Sequence, residues 1–305
     1  MAKPTEAQMK TYTHCTLCPR NCSVDRTKSH GFCGESATLR AARAALHLWE
    51  EPPISGKTGS GTVFFSGCTL RCIFCQNADI AGGHHGKEIT AERLSEIFLE
   101  LQEKEAANVN LVTPTHFLPH IVSALQTAKK KGLTIPVVYN CGGYEKAETL
   151  SLLDGLVDIY LPDYKYRSKT LAKALSAAED YPEVAEAALC EMLRQVGEAV
   201  FDENGMMKKG VIVRHLVLPA HTDDSMEVLR FLHETFGDDI YISIMSQYTP
   251  MKKFEDHPAL SRKLTTYEYQ KVVRFAEEIG IKKGFLQSGE AAKESFIPAF
   301  DFTGV

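Results

Sequence analysis

Short apolar runs alternate with longer amphipathic stretches over roughly residues 60 to 290. "GTVFFSG" reads as a buried strand. The stretch 90–106 after it puts Leu94, Ile97, Phe98 and Leu101 on one helical face and is opened by Thr90 and Arg93. "ANVNLVTP" reads as strand, and "LPHIVSALQTAKKKG" as a helix closed by Gly132. "IPVVYNCGG" is strand, "KAETLSLLDG" helix, "VDIYLPDYK" strand, and 168–200 one long helical region broken near Pro182. A turn at "NGMMKKG" feeds the strand "VIVRHLVLP". The helix "DSMEVLRFLHETFG", the strand "DIYISIMSQY", the helix "TTYEYQKVVRFAEEIG" and a short strand at "KGFLQSG" complete the series. Strands alternating with helices predict parallel βαβ units. Six such repeats predict an α/β fold, either a partial (βα)6 TIM-like barrel or a doubly wound sheet. Both place ligands at the C-terminal ends of the strands.

The first fifty residues differ in character. They are cysteine-rich early, then pass through "ATLRAARAALHLWEE" to the "PPISGKTGSG" loop, which is dense in turn-forming residues. A soft boundary there predicts a small cysteine-rich metal-binding module at 1–55 and the barrel at 56–305. The 305 residues, 44% hydrophobic and 24% charged, suit an ordinary folded protein. A net charge of -5 suggests no polyanion partner, so no nucleic acid is expected. The N-terminus lacks the apolar core of a signal peptide, and no stretch has the apolarity of a membrane span. The expectation is a cytoplasmic protein. In a reducing compartment its nine cysteines point to metal ligation or catalysis rather than disulfides.

Three of them, Cys68, Cys72 and Cys75, stand in "GCTLRCIFCQN" at C-x3-C-x2-C spacing, just after the first strand. Thiolates are soft ligands for zinc or Fe–S clusters. A [4Fe-4S] cubane normally takes four, so three leave one iron open, as a catalytic zinc keeps an open position. The loop closely resembles the signature of radical S-adenosylmethionine enzymes, which have three cysteines at this spacing and an aromatic residue before the third; Phe74 holds that place. The resemblance implies a [4Fe-4S] cluster whose open iron is chelated by S-adenosylmethionine. Reductive cleavage then yields a 5'-deoxyadenosyl radical that abstracts a hydrogen atom, with flavodoxin or ferredoxin as reductant. Within that superfamily "GCTLRCIFCQNADI" looks most like pyruvate formate-lyase-activating enzymes and their relatives, some of which have an extension similar to "CTLCPRNC…GFCG". That implies a glycyl radical enzyme as protein substrate. A small molecule or a non-glycyl peptide site is an alternative, and a non-catalytic Fe–S electron-transfer protein is a third reading.

Further site residues follow at the strand ends. Where the family usually shows Gly-Gly-Glu to hold the methionine amino group, this chain has "VTPTHF"; Thr113, Thr115 and His116 either replace those contacts or, for Thr113, cap a helix. Asn140 in "YNCGGYE" occupies a position that is polar and near the cofactor in relatives, and Gly142 and Gly143 permit close approach. Cys141 is either a reactive thiol or a small core residue. "LPDYKY" matches an Asp-x-Lys pattern of activating enzymes. Asp163 and Lys165 share one face, and both are expected to be catalytic, Asp163 also meeting the cofactor. Arg214 is a charge in a buried strand and needs a partner, either the cofactor carboxylate or Asp163; His215 faces the other way. Ser246, Gln247 and Tyr248 fall at the adenine side, Gln247 foremost. Cys15, Cys18, Cys22 and Cys33, spaced x2, x3 and x10, suit a closed site for zinc or a second Fe–S cluster, with His14 and His30 as spare ligands. Phe296, Phe300 and Phe302 in the tail either cover the barrel mouth or pack in the core.

Overall fold

The computed structural model describes residues 6–286 and 298–305. The elements are α1 (Glu6–Thr13), β1 (Arg40–His47), α2 (Pro52–Ser55), β2 (Ser60–Phe65), α3 (Ala78–Ala81), β3 (Lys87–Glu88), α4 (Ala91–Glu103), β4 (Val109–Val112), α5 (Leu118–Lys130), β5 (Val137–Cys141), α6 (Ala147–Leu150), β6 (Ile159–Pro162), α7 (Lys169–Ser176), α8 (Tyr181–Val196), β7 (Val200–Phe201), β8 (Met207–Leu216), α9 (Thr222–Phe236), β9 (Tyr241–Met245), α10 (Thr266–Glu278) and β10 (Gly284–Leu286). Strands β2, β4, β5, β6, β8, β9 and β10 run parallel, each beside the next in sequence. This order never reverses. A doubly wound sheet has a reversal at its switch point, so the fold is the partial barrel, and its six βα units end on β10.

Strands β2, β4, β5 and β6 are buried at every position. That is why they read as unbroken apolar runs, as strands covered on both faces do. Thr90 caps α4 by accepting from the Arg93 N–H, a bond worth about 1 kcal/mol. The expected single helix over 168–200 is two. Ala177, with left-handed backbone (φ 51°), ends α7, and Pro182 lies in the first turn of α8, where its missing N–H costs no helical bond.

Two segments outside the βα pattern complete the barrel. "RAARAALH" forms β1, which pairs antiparallel with β2. Residues 48–55 then turn under the sheet as a plug. Ile54 is buried among Val138, Ile159, Leu161, Met207 and Ile212, and the Asn108 side chain donates to its carbonyl at 2.7 Å. The expected junction at 55/56 lies at the end of this plug; before it, residues 40–55 pair with β2 and pack under the sheet. The C-terminal residues lie along β1, with Ala44 N–H donating to Thr303 O (2.8 Å) and Phe302 N–H to Ala42 O (3.1 Å). Phe300 packs edge-on against Phe64 and Phe302 against His85, while Phe296 lies outside the described residues. Among the described residues no helix is long and apolar enough to cross a membrane.

Candidate active site

The C-terminal ends of the parallel strands surround a cavity of about 240 Å³. Cys68, Cys72, Phe74 and Cys75 line it from the loop after β2, Thr113 from the end of β4, and Asn140 from β5. Asp163 and Lys165 follow β6, Arg214 lies on β8, and Gln247 follows β9. Ten of the expected site residues therefore meet in one place. Thr115 and His116 do not. Pro114 starts a 3-10 turn over Thr115–Phe117 that carries both side chains away from the cavity. The Tyr139 hydroxyl donates to Thr115 Oγ1 (3.0 Å), and His116 Nε2–H donates to the Ser66 carbonyl (2.6 Å). Burial, with the Arg26 charge beside it, pushes the His116 pKa down to about 3, so the ring is neutral. Thr113 is not a helix cap, since Pro114 takes that position. It sits in the left-handed region (φ 57°), a strained conformation for a β-branched residue, at the cavity wall.

The cysteine loop is held by close backbone approach. Gly67 (φ 84°) has no room for a side chain, because a Cβ would lie 2.7 Å from the Cys33 carbonyl oxygen. Leu70 N–H points at Cys68 Sγ (3.4 Å), and Ser176 Oγ–H donates to Cys72 Sγ (3.0 Å). Donors of this kind stabilise sulfur that carries negative charge and tune Fe–S potentials. Burial, and then the neighbouring sulfurs, push the Cys68 thiol well up and the Cys75 thiol up to about 11. A metal must therefore displace protons to bind here. Cys141 also borders the cavity, and burial pushes its thiol well up. Among the described residues no three His, Cys, Asp or Glu side chains converge to hold a single ion. A cubane makes no such demand, because each cysteine binds a different iron. Three soft donors on one loop, with hydrogen bonds to two of the sulfurs, fit a three-cysteine cluster.

Beside the loop lies a buried charge network. Arg214 donates to Asp163 Oδ1 (2.9 Å), Glu50 Oε2 (3.1 Å) and Asn140 Oδ1 (2.6 Å), and Lys165 Nζ donates to Asp163 Oδ2 (2.6 Å). Burial alone would raise the Asp163 carboxyl, but the Lys165 and Arg214 charges outweigh it and hold it below the usual range. Burial likewise works against the Lys165 ammonium, and Asp163 more than compensates, so the pair stays charged. Glu50 is pushed up by burial against the pull of Arg214. Tyr181, on α8, accepts from Lys165 N–H (2.9 Å) and lies 2.9 Å from both the Gly142 and Asp163 carbonyls, tying the ends of β5 and β6 together. Gln247 borders the cavity where Gln76 donates to its carbonyl (2.8 Å). His215 faces the other side of β8 and meets the Tyr164 carbonyl. Glu50 and Trp49, both at the cavity, went unrecognised in the sequence. The available signal was an acidic pair following an apolar run, directly before Pro52 and Pro53.

The N-terminal cysteines pack against the same loop. Cys15, Cys18 and Cys33 are buried and Cys22 is half-buried. Cys68 N–H donates to the Cys33 carbonyl (3.2 Å), and Arg20 Nε–H to that of Thr69 (2.8 Å). Arg20 and Arg71 both lie over the Phe32 ring, at 4.1 and 5.0 Å. His14 is exposed, and His30 packs edge-on against His84.

A family model described as the Radical SAM superfamily matches residues 62–232. An uncharacterised protein of Methanocaldococcus jannaschii is 31% identical over 280 residues, which cover 88% of this chain and 76% of that protein. Streptococcus suis SuiB, solved with its precursor peptide SuiA, matches with a TM-score of 0.51 at 14% identity, over 73% of this chain and 46% of that one. HydG, a maturase of the [FeFe]-hydrogenase, matches with a TM-score of 0.50 at 16% identity, over 73% and 49%. This chain spans about half the length of those two structures, and likeness at such low identity speaks to the fold.

Proposed function

The chain belongs to the radical S-adenosylmethionine superfamily, and from that premise we propose an enzyme that abstracts a hydrogen atom from a substrate held in the cavity at the strand ends. The superfamily uses a [4Fe-4S] cluster and S-adenosylmethionine, which together supply a carbon radical by reductive cleavage of a sulfonium bond. In this reading Cys68, Cys72 and Cys75 hold the cluster. Phe74, packed 6.3 Å from Tyr248, fixes the loop that carries them. Thr113, Asn140, Arg214 and Gln247 surround the space beside it and hold the cofactor. Asp163 and Lys165, both kept charged, place the substrate or ribose hydroxyls against the cluster side of the cavity. The carrying observation is the donor set: three cysteines on one loop at the barrel mouth, with hydrogen bonds to two of their sulfurs.

The cluster loop supports a glycyl radical enzyme as protein substrate, with flavodoxin or ferredoxin as reductant in the cytoplasm. A non-glycyl peptide site is the second reading and a small molecule the third; the small molecule is favoured by Pro298 of the tail, which borders the cavity and narrows the space left for a polypeptide segment. The test is anaerobic reconstitution with iron and sulfide, addition of dithionite and S-adenosylmethionine, and measurement of 5'-deoxyadenosine. Wild type should form it and Cys72→Ala should not. An intact cluster by EPR with no product from wild type would refute the radical reading. An EPR doublet in a co-expressed glycyl radical partner would decide for the protein substrate.

A further inference from the structure

We propose that Cys15, Cys18, Cys22 and Cys33 hold a second [4Fe-4S] cluster, with the buried guanidinium of Arg26 as its counter-charge. The argument starts from Arg26, which is completely buried. Its N–H groups go to the carbonyls of Glu35 (3.1 Å), Ser36 (2.6 Å) and His116 (2.7 Å), and one points at Cys15 Sγ (3.7 Å). No carboxylate is among these partners. Glu35, next to it in space, gives its own carboxylate to His84 N–H (2.7 Å) and Arg40 (3.5 Å). The Tyr12 and Phe117 rings, 4.8 and 5.8 Å away, supply only a partial cation–π balance. A buried charge without a counter-ion is strongly unfavourable. Beside this cation, the groups able to carry a full negative charge through metal binding are the cysteine sulfurs. Four neutral thiols supply none, whereas four metal-bound thiolates leave the centre anionic.

Position chooses between metals, because zinc has no redox chemistry and this set packs directly on the loop that carries Cys68, Cys72 and Cys75. The sulfurs of Cys33 and Cys22 lie 3.3 and 3.6 Å from where a Gly31 side chain would begin, so the bare glycine leaves space between them. Cys33 O also accepts from Cys68 N–H, so one hydrogen bond joins the two loops. That places the second cluster to take one electron from a flavodoxin- or ferredoxin-type donor and pass it on; it is reoxidised as the catalytic cluster is reduced, and no bond is made or broken. This relay role rests on the radical reading, while the metal site does not.

The test uses the full chain with Cys68, Cys72 and Cys75 all changed to Ala, reconstituted anaerobically. About four irons per chain should remain, with an EPR signal on reduction, against about twice that iron in wild type. Wild-type EPR should in turn be broadened by the neighbouring spin. One zinc without iron would overturn the cluster, and neither metal would overturn the site. Arg26→Met should shift the remaining cluster to a more negative potential, and Arg26→Lys should keep it near wild type if the Met variant does not fold. An unmoved potential in folded Arg26→Met would overturn the counter-charge. Failure of the radical reading would appear separately, as absent 5'-deoxyadenosine with this iron count unchanged.

Discussion

Replacing Arg214 with Met tests whether the charge network holds the barrel floor to the strand ends. Among the described residues, Arg214 is the one side chain that bonds Asp163 after β6, Asn140 on β5 and Glu50 in the plug. Its side chain is 14% exposed, and that of Glu50 is 8% exposed. Met keeps the stem and much of the volume, so the change removes charge rather than packing. Breaking a buried pair by deleting one partner costs about 3–5 kcal/mol. Asp163 keeps Lys165 at 2.6 Å and bears the smaller share. Glu50 keeps the amides of Asn110 (3.1 Å) and Asn140 (3.3 Å) but loses its cation, so the larger share falls there.

The loss should therefore depend on pH. With Arg214 gone, the folded-state pKa of Glu50 rises further above its unfolded value of about 4.3. The penalty vanishes below the unfolded pKa, where both states are protonated, and grows as pH rises toward the folded one. Urea unfolding should show a deficit of about 3 kcal/mol or more near neutral pH, shrinking toward pH 5. Arg214→Met with Glu50→Gln should recover about 1–3 kcal/mol as coupling energy. A single-variant deficit under about 1 kcal/mol, or strict additivity in the cycle, would refute the reasoning.

Gly143 has φ 77°, and a Cβ there would stand 2.1 Å from the Asp163 carbonyl oxygen, so Gly143→Ala should lower stability by at least about 2 kcal/mol; a neutral result in urea unfolding would contradict the geometry. Thr113→Gly should raise stability by about 1 kcal/mol by relieving its left-handed strain while lowering 5'-deoxyadenosine formation, and a gain in both would remove Thr113 from the cofactor site. Burial pushes the His215 pKa down to about 4, so the unfolded chain binds a proton that the folded chain refuses. Its contribution is complete above about pH 6.5 and falls by about 1.4 kcal/mol per pH unit from there toward pH 4; His215→Gln should flatten the unfolding free energy by one proton across that window, and an unchanged slope would refute it.

What was legible in the sequence follows from what burial does to each kind of element. Parallel strands covered on both faces must be apolar throughout, so β2, β4, β5 and β6 declare themselves. Charges placed among them, such as Arg214 and Asp163, must find each other, and they do. The trio is legible because its three ligands lie on one short loop. By contrast β1, "RAARAALH", has the composition of a helix. It is a strand because β2 offers an edge to pair with, and because Arg40 and Arg43 then reach Glu88 and Asp301. The "PPIS" turn has linker composition, yet Ile54 is fully buried because the barrel leaves its floor open there. Thr115 and His116 lie off the cavity because Pro114 opens a 3-10 turn directly after β4, which strand periodicity does not reveal.

These cases share a cause. The βα repeat encodes itself through local periodicity, whereas the pieces at 15–39, 48–55 and 298–305 take their positions from openings the repeat leaves. Those pieces bring Glu50 to Arg214, Cys33 to Cys68 and Pro298 to the cavity. Substrate choice and electron supply in this chain are therefore to be sought at the contacts between these added segments and the barrel, where Glu50, Arg26 and the four N-terminal cysteines lie, rather than along the strands that carry the shared chemistry.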